Sequence, residues 1–336
     1  MKIKFPFFFI VFASFYCHGN QEIEDFYSTS FLRNYKAVRT SLRHAGFQKI
    51  TFKTSDNFKL SGLFLARPDA TCTVIICAGW RPGRKEGLAT FYDLLPTYCN
   101  ILLFDARGRG ESEGSFLGKI WQYGINEYRD IAAAISWTNK NNTLPIILIG
   151  FCSGAFNAVH ALIHLQNRYI TSHVKGLVFD SGWGSVSDVT ASATFANIQE
   201  CLIAVFKYIY GNKEIVKKSF IFKLSNKCAH YLCNLSHFLF IQPWIKQYKS
   251  RTSLFNKINY LNTAVFFIHS YDDQHADIYN VIKLSKLTPF KKCWLLKKSY
   301  HTCHHLIHKE LYKEKLIAFI DSVINEGDVN TSAKIL

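Results

Sequence analysis

Short apolar runs and helix-period segments take turns along most of this chain. Residues 49–54 and 59–65 read as two strands around a Ser-Asp-Asn turn. Runs at 73–77, 101–105, 144–149, 174–180, 263–269 and 292–296 are brief and almost wholly apolar, the pattern of strands buried on both faces. Helical spacing shows at 20–45, where Phe26, Phe31, Leu32, Tyr35, Val38 and Leu42 recur, and helices are expected near 87–97, 124–140, 155–165 and 304–325. Strands alternating with helices predict a mostly parallel sheet covered on both faces, an α/β architecture.

One segment breaks this rhythm. Residues 184–262 show no clear buried strand and carry aromatic and apolar side chains at mixed spacing, among them Phe206, Tyr208, Phe220, Phe240 and Trp244. Ten Lys/Arg against three Asp/Glu give the segment a charge of +7. An insertion of this length within a sheet of short connections reads as a helical lid. The expected organisation is a signal peptide over 1–19, an N-terminal helical segment over 20–47, a core in two parts (48–183 and 263–325) around the lid, and a tail from 326 to 336.

The N-terminus supports the first of these assignments. Lys2 and Lys4 precede an apolar stretch from Phe5 to Tyr16, and Cys17 and Gly19 follow at plausible positions for signal cleavage. Twelve apolar residues are few for a bilayer span. Export, periplasmic or secreted, is the expectation, with a cytoplasmic or membrane-associated protein as the alternative. The chain has 336 residues, is 49% hydrophobic and has a formal net charge of +16, so it is globular and favours anionic partners such as an acidic membrane surface. No arginine-rich stripe or nucleic-acid-binding signature accompanies that charge, which argues against nucleic acid. The ten cysteines show no disulfide framework, and nothing sets an oligomeric state.

The candidate chemistry lies at Gly150-Phe151-Cys152-Ser153-Gly154, between a strand and a helix. This fits G-x-nucleophile-x-G with Cys152 at the tip of a tight turn, where flanking backbone comes too close for side chains at Gly150 and Gly154. A frame with Ser153 at the tip would put the bulkier Cys152 at a glycine position.

Four stretches together resemble the α/β-hydrolases, in particular the serine-aminopeptidase/BEM46-like group. They are Val74-Ile75-Ile76-Cys77-Ala78-Gly79-Trp80 at the oxyanion loop, the 104–114 loop FDARGRGESEG, the elbow GFCSGA, and Phe267-Ile268-His269-Ser270-Tyr271-Asp272-Asp273 at the acid strand. They cover residues 48–325 in the family's order. The sequence departs from the family at Ala78 (usually His), at Ser270 (usually Gly) and at Cys152 (usually Ser). The resemblance implies an α/β-hydrolase fold with a lid and a triad of Cys152, Asp273 and His301. Backbone N–H groups of Ser153 and Trp80 would form the oxyanion hole, and neither metal nor cofactor would be needed. Asp272 and Asp180 are alternative acids. His304 and His305 are alternative bases within the run His301-Thr302-Cys303-His304-His305, which otherwise reads as a solvated helix start. His304 and His308, four residues apart, are weighed and set aside as a zinc pair, because no second ligand cluster accompanies them. His269, Asp105 and Arg107 are expected to be structural.

The chemistry follows from the residue types. A thiolate is a good nucleophile, an imidazolium holds it and then protonates the leaving group, and a carboxylate fixes the imidazole tautomer. The expected activity is cleavage of a small-molecule carboxylic ester, lactone or thioester through a thioester on the enzyme. Acyl transfer and peptide cleavage on the same fold are the catalytic alternatives. A catalytically silent hydrolase fold that binds anionic lipid or a partner through the basic lid is the alternative of another class.

Overall fold

The computed structural model describes residues 35–79, 85–114, 126–166, 173–186 and 253–325. The expected signal peptide, residues 20–34, Trp80, residues 187–252 of the expected lid and the 326–336 tail lie outside the described residues.

Eight strands form one sheet: β1 (Gln48–Lys53), β2 (Lys59–Leu65), β3 (Cys72–Cys77), β4 (Cys99–Phe104), β5 (Ile146–Phe151), β6 (Val174–Asp180), β7 (Ala264–Ser270) and β8 (Lys291–Leu296). Their spatial order is β1-β2-β4-β3-β5-β6-β7-β8. β1 and β2 pair antiparallel, as do β2 and β4, and every other pairing is parallel. Every residue of β3, β4, β5 and β7 is buried, as their mostly apolar composition suits in central parallel strands; Thr73, Asn100, His269 and Ser270 are the buried polar exceptions.

Helices α1 (Tyr35–His44), α2 (Tyr128–Asn141), α3 (Ser153–Gln166), α4 (Ile278–Leu287), α5 (His304–Ile307) and α6 (Lys309–Asn325) flank this sheet, with a 3-10 helix at Lys85–Leu94. The twofold alternation along each strand divides the core in two. Ile75, Leu102, Leu148 and Phe267 pack against Ile131, Ala134, Phe156 and Val159 of α2 and α3. Val74, Ile76, Ile149 and Phe266 pack on the opposite face against Phe91, Leu316, Phe319 and Ile320 of the 3-10 helix and α6. Among the described residues no helix is long and apolar enough to cross a membrane.

Three elements differ from the sequence expectation. The helix expected near 87–97 is a 3-10 helix that begins at Lys85. The helix expected over 304–325 is broken at His308 into α5 and α6. α4 was not anticipated, although Asp277 caps it by accepting the Tyr279 N–H at 2.9 Å. Among the described cysteines none is in a disulfide, and Cys72 and Cys99, partners across β3 and β4, have sulfurs 3.2 Å apart.

The 3-10 helix starts where it does because Lys85 is fully buried. Its ammonium lies 2.6 Å from Asp105 Oδ2 and 2.9 Å from Glu111 Oε2, and its N–H donates to Asp105 Oδ1 at 2.8 Å. Burial pushes the Asp105 carboxyl up, against the pull of Lys85 and the Glu111 N–H. Asp105 thus joins the 3-10 helix to the loop that follows β4. Removing one partner of such a pair leaves an uncompensated buried charge. Lys85→Met is therefore expected to lower unfolding free energy by about 3–5 kcal/mol, read from denaturant midpoints, whereas Lys49→Met, at an exposed contact to Glu111, should change it little.

The parallel strands all end at one edge of the sheet. β4 lies to one side of β3 and β5 to the other, so the connections diverge beside the end of β3, where doubly wound sheets form their crevice. The loops after β5, β6, β7 and β8 converge on that edge.

Candidate active site

β5 runs straight into the turn, and α3 leaves it at once, so one residue, Cys152, makes the reversal. Its φ is +53°, left-handed backbone that a non-glycine residue adopts at a cost of about 1–2 kcal/mol. Close packing enforces the turn. A Cβ on Gly154 would lie 2.1 Å from the Cys77 carbonyl oxygen, and one on Gly150 would lie 2.5 Å from Ala155 Cα. Gly79 is pressed against the turn in the same way, since a Cβ there would come within 2.8 Å of Cys152 Cβ. The loop after β3, the expected oxyanion loop, and the elbow are thus in contact. Ser153 opens α3, is buried and lacks the positive φ, so Cys152 occupies the tip. The Ser153 N–H lies in the first turn of α3, whose N–H groups have no acceptor within the helix. Trp80, the other expected oxyanion donor, lies outside the described residues.

The expected acid, Asp273, lies in the loop after β7. The Asp273 side chain is fully buried, and its Oδ1 accepts the N–H groups of His275 at 2.8 Å and Ala276 at 3.0 Å. Its Oδ2 is 2.7 Å from His301 Nδ1. Burial works to raise this carboxyl, but the imidazole of His301, and behind it His269 and His275, hold it well below the usual carboxylate range. The loop after β8 carries His301. Burial disfavours its charged form, yet Asp273 and then the Cys152 sulfur outweigh that and raise it well above an ordinary histidine. Because Nδ1 faces Asp273, Nε2 is the ring atom left for the sulfur. The His301 imidazole therefore lies between Asp273 and the Cys152 sulfur, and the His301–Asp273 ion pair is favoured at neutral pH.

The alternatives fall elsewhere. Asp272 accepts the Lys298 N–H at 2.6 Å in an exposed position. Asp180, at the end of β6, accepts from Ser181 Oγ at 2.8 Å and Tyr312 OH at 2.9 Å. His304 bonds Ser181 and Ser299. His305 packs against the rings of Phe91 and Phe151, and burial pushes it down to about 3. The expected solvated helix start is thus a correction: His304 and His305 are both buried, His304 by its bonds to Ser181 and Ser299 and His305 by packing on the rings of Phe91 and Phe151.

Neighbouring residues brace the site. Arg107 spans Asp56 and Asp130, and Arg109 donates to the Gly79 carbonyl at 2.8 Å, tying the loop after β4 to the oxyanion loop. His269, fully buried, pairs its Nε2 with the Ala276 carbonyl at 2.9 Å beneath the acid loop. Asp273, His275 and His301 offer ligand atoms within 4.8 Å of one another. A metal ion there would have to displace the hydrogen bonds that already occupy both oxygens of Asp273. His304, half of the zinc pair weighed from the sequence, is likewise committed to two serines.

No family model matches the sequence, and no curated protein matches it. Solved structures do match the fold. An esterase of Pyrococcus furiosus is 18% identical, with 83% of this chain and 91% of that one covered and a TM-score of 0.56. A membrane phospholipase A, a bacterial virulence factor, is 14% identical over 87% of this chain and 91% of its own, with a TM-score of 0.57. A proline iminopeptidase of Mycobacterium smegmatis is 10% identical over 84% and 100% of the two chains, also with a TM-score of 0.57. With the eight-stranded sheet and its flanking helices, these likenesses establish that the chain has the α/β-hydrolase fold.

Proposed function

We propose that the protein is an acyl hydrolase that cleaves a carboxylic ester, lactone or thioester through a thioester on Cys152. The observation that carries this reading is the 2.7 Å contact between His301 Nδ1 and Asp273 Oδ2, with the same imidazole coupled to the sulfur at the elbow tip. The fold's occurrence in esterases and a phospholipase agrees with it. The membership of the serine-aminopeptidase/BEM46-like group belongs to the same proposal.

In the first half-reaction the Cys152 sulfur attacks the acyl carbon, and the carbonyl electrons move onto oxygen. The Ser153 N–H at the start of α3 would donate to that oxyanion, an interaction worth about 3 kcal/mol in comparable sites. Collapse expels the alcohol or thiol, which takes its proton from His301 Nε2. In the second half-reaction neutral His301 accepts a proton from water as the water attacks the thioester, and the sulfur leaves as thiolate. Amide cleavage fits less well, because a thiolate leaves more readily than an amine and the intermediate reverts. Export and an anionic membrane surface as a partner are further parts of this reading, motivated by the N-terminal run and the net charge of +16.

The test is to incubate the protein with a p-nitrophenyl acyl ester, quench in acid and map the acylated peptide by mass spectrometry. Acyl on Cys152 is expected; acyl on Ser153, or none together with no turnover from pH 5 to 9, overturns the proposal.

A further inference from the structure

A second buried polar cluster lies behind the three residues above, and its hydrogen bonds can be given directions. Ser181 Oγ has three neighbours to satisfy with one proton and two lone pairs. Asp180 Oδ1, at 2.8 Å, can only accept from it while the carboxylate is ionised. Ser181 therefore donates there, and accepts the Thr302 N–H at 2.9 Å and the His304 Nε2–H at 3.1 Å. His304 Nδ1 then accepts the Ser299 hydroxyl at 2.6 Å. This fixes His304 as the neutral Nε2–H tautomer, in keeping with burial holding it well below an ordinary histidine. The remaining oxygen of Asp180 accepts Tyr312 OH at 2.9 Å. Ser181, Ser299, His304 and Tyr312 are all buried, so none of these bonds is exchanged cheaply for water.

The chain of bonds connects the two halves of the catalytic machinery. The Asp180 carbonyl accepts the Cys152 N–H at 2.9 Å, and the next residue, Ser181, holds the N–H of Thr302, which directly follows His301. Cys152, Ser181 and Thr302 have φ of +53°, +53° and +58°, and Lys298 in the same histidine loop has +57°. Non-glycine residues do not stay in this region unless their surroundings hold them. Ser181 is the atom-level link between two of them.

We infer that Asp180 and Ser181 form a positioning pair for the proposed reaction: they set the separation of the Cys152 sulfur and the His301 imidazole by holding the backbone beside each. The inference rests on the proposed Cys152–His301 chemistry for its kinetic consequence, but its geometry does not. Ser181 touches neither sulfur nor imidazole in this scheme and acts through the backbone on either side. Asp180 is pushed up to about 7 by burial, against the pull of Ser181, Tyr312 and His301 and with the Asp273 charge adding to the rise. Its second acceptor bond to Tyr312 can thus change with protonation near neutrality while Oδ1 still accepts from Ser181.

The test compares Ser181→Ala, Ser181→Gly and Tyr312→Phe in the full chain. The readout is the pH profile of iodoacetamide alkylation at Cys152, followed by peptide mapping, so no substrate is required. Loosening the histidine loop weakens the contact of sulfur and imidazole, and the profile of both Ser181 variants is expected to move to higher pH by about one unit. Where ester turnover is seen, kcat should fall about tenfold or more with KM within about twofold. Tyr312→Phe, which leaves the Ser181 link intact, should keep the wild-type profile even if it lowers Tm. Glycine adopts φ +53° without strain, so Ser181→Gly keeps the fold if Ser181→Ala does not, and a purely conformational role would leave its profile at the wild-type position. Wild-type profiles in both Ser181 variants overturn the inference, as does a shift in Tyr312→Phe as large as theirs. Absence of ester turnover in the wild type would instead remove the hydrolase proposal, and the alkylation profiles would still decide the positioning role.

Discussion

Replacing Cys152 by alanine is expected to reduce kcat/KM for a p-nitrophenyl ester by about 10⁴-fold or more, the scale seen when a nucleophile is removed from a preorganised triad. Nothing adjacent can substitute. Ser153 is buried in the first turn of α3; on the same edge Ser181 and Ser299 are committed to the cluster behind His301, and buried Ser270, at the end of β7, accepts the Asp272 N–H at 3.1 Å. Cys152→Ser is the more informative variant. His301 is raised partly by the Cys152 sulfur and chiefly by Asp273. A serine hydroxyl needs a neutral imidazole as base, so the variant inherits a histidine tuned for the wrong protonation state. A loss of about 10²-fold at pH 7 is expected, the range of one general-base contribution, easing as pH rises and His301 loses its proton. Cys152→Gly separates function from strain, because glycine tolerates φ +53°. It should be no less stable than the wild type and as inactive as the alanine variant. Wild-type turnover in Cys152→Ala would end the thioester mechanism.

Much of the frame is legible in the sequence because parallel strands buried on both faces leave unmistakable apolar runs. β2 and β6 have the bounds that the pattern predicts. β5 is displaced by two residues because Pro145 has no N–H for the ladder, so the strand opens at Ile146 and carries Gly150 and Phe151 up to the turn. The elbow is legible for a steric reason: two glycines flanking one tip residue is what close backbone approach demands. Lys85 shows the opposite case. A lysine reads as solvated from pattern alone, and only the tertiary neighbours Asp105 and Glu111 make its burial possible. α4 had its signals, an Asp277 cap and apolar residues at 278, 281 and 284, but its length fell within an otherwise unremarkable connection.

The histidine run shows where sequence reasoning stops. His301, His304 and His305 lie within five residues, and composition does not say which one faces an acid. The answer depends on two left-handed residues, Lys298 and Thr302, which turn the loop so that His301 points to Asp273 and His304 points back to Ser181. Neither position holds a glycine, so no local signal marks the turn; it is imposed by Asp272 on the Lys298 N–H and by Ser181 on the Thr302 N–H. For the same reason Asp180 reads from the sequence as an alternative acid, whereas its carboxylate is taken up by Ser181 and Tyr312.

Asp273→Asn is expected to lower kcat by about 10³–10⁴-fold, comparable to loss of the acid in a serine triad. The asparagine keeps the loop, because its carbonyl can still accept the His275 and Ala276 N–H groups that Oδ1 accepts now. What goes is the negative charge at Oδ2, the largest influence raising His301. The signs set the pH window. Asp273 is held below its reference of 3.8, so its contribution is present above that value and is lost as pH falls through the lower folded value. His301 is held above its reference of 6.5, so its contribution is complete below that value and is lost as pH rises through the higher folded one. The charged pair is therefore whole between these limits; Asp273→Asn abolishes it, lets His301 lose its proton at lower pH and leaves an imidazole free to take the wrong tautomer. Raising the pH should not restore the rate, in contrast to Cys152→Ser. Asp272→Asn is the matched control: its carboxylate is exposed and bonds only the Lys298 N–H among the described contacts, and the asparagine carbonyl can still accept that N–H and keep the turn, so a change of less than about threefold is expected. Should the larger loss fall on Asp272, the acid would have to be reassigned to it, and the 2.7 Å contact of His301 with Asp273 would be structural.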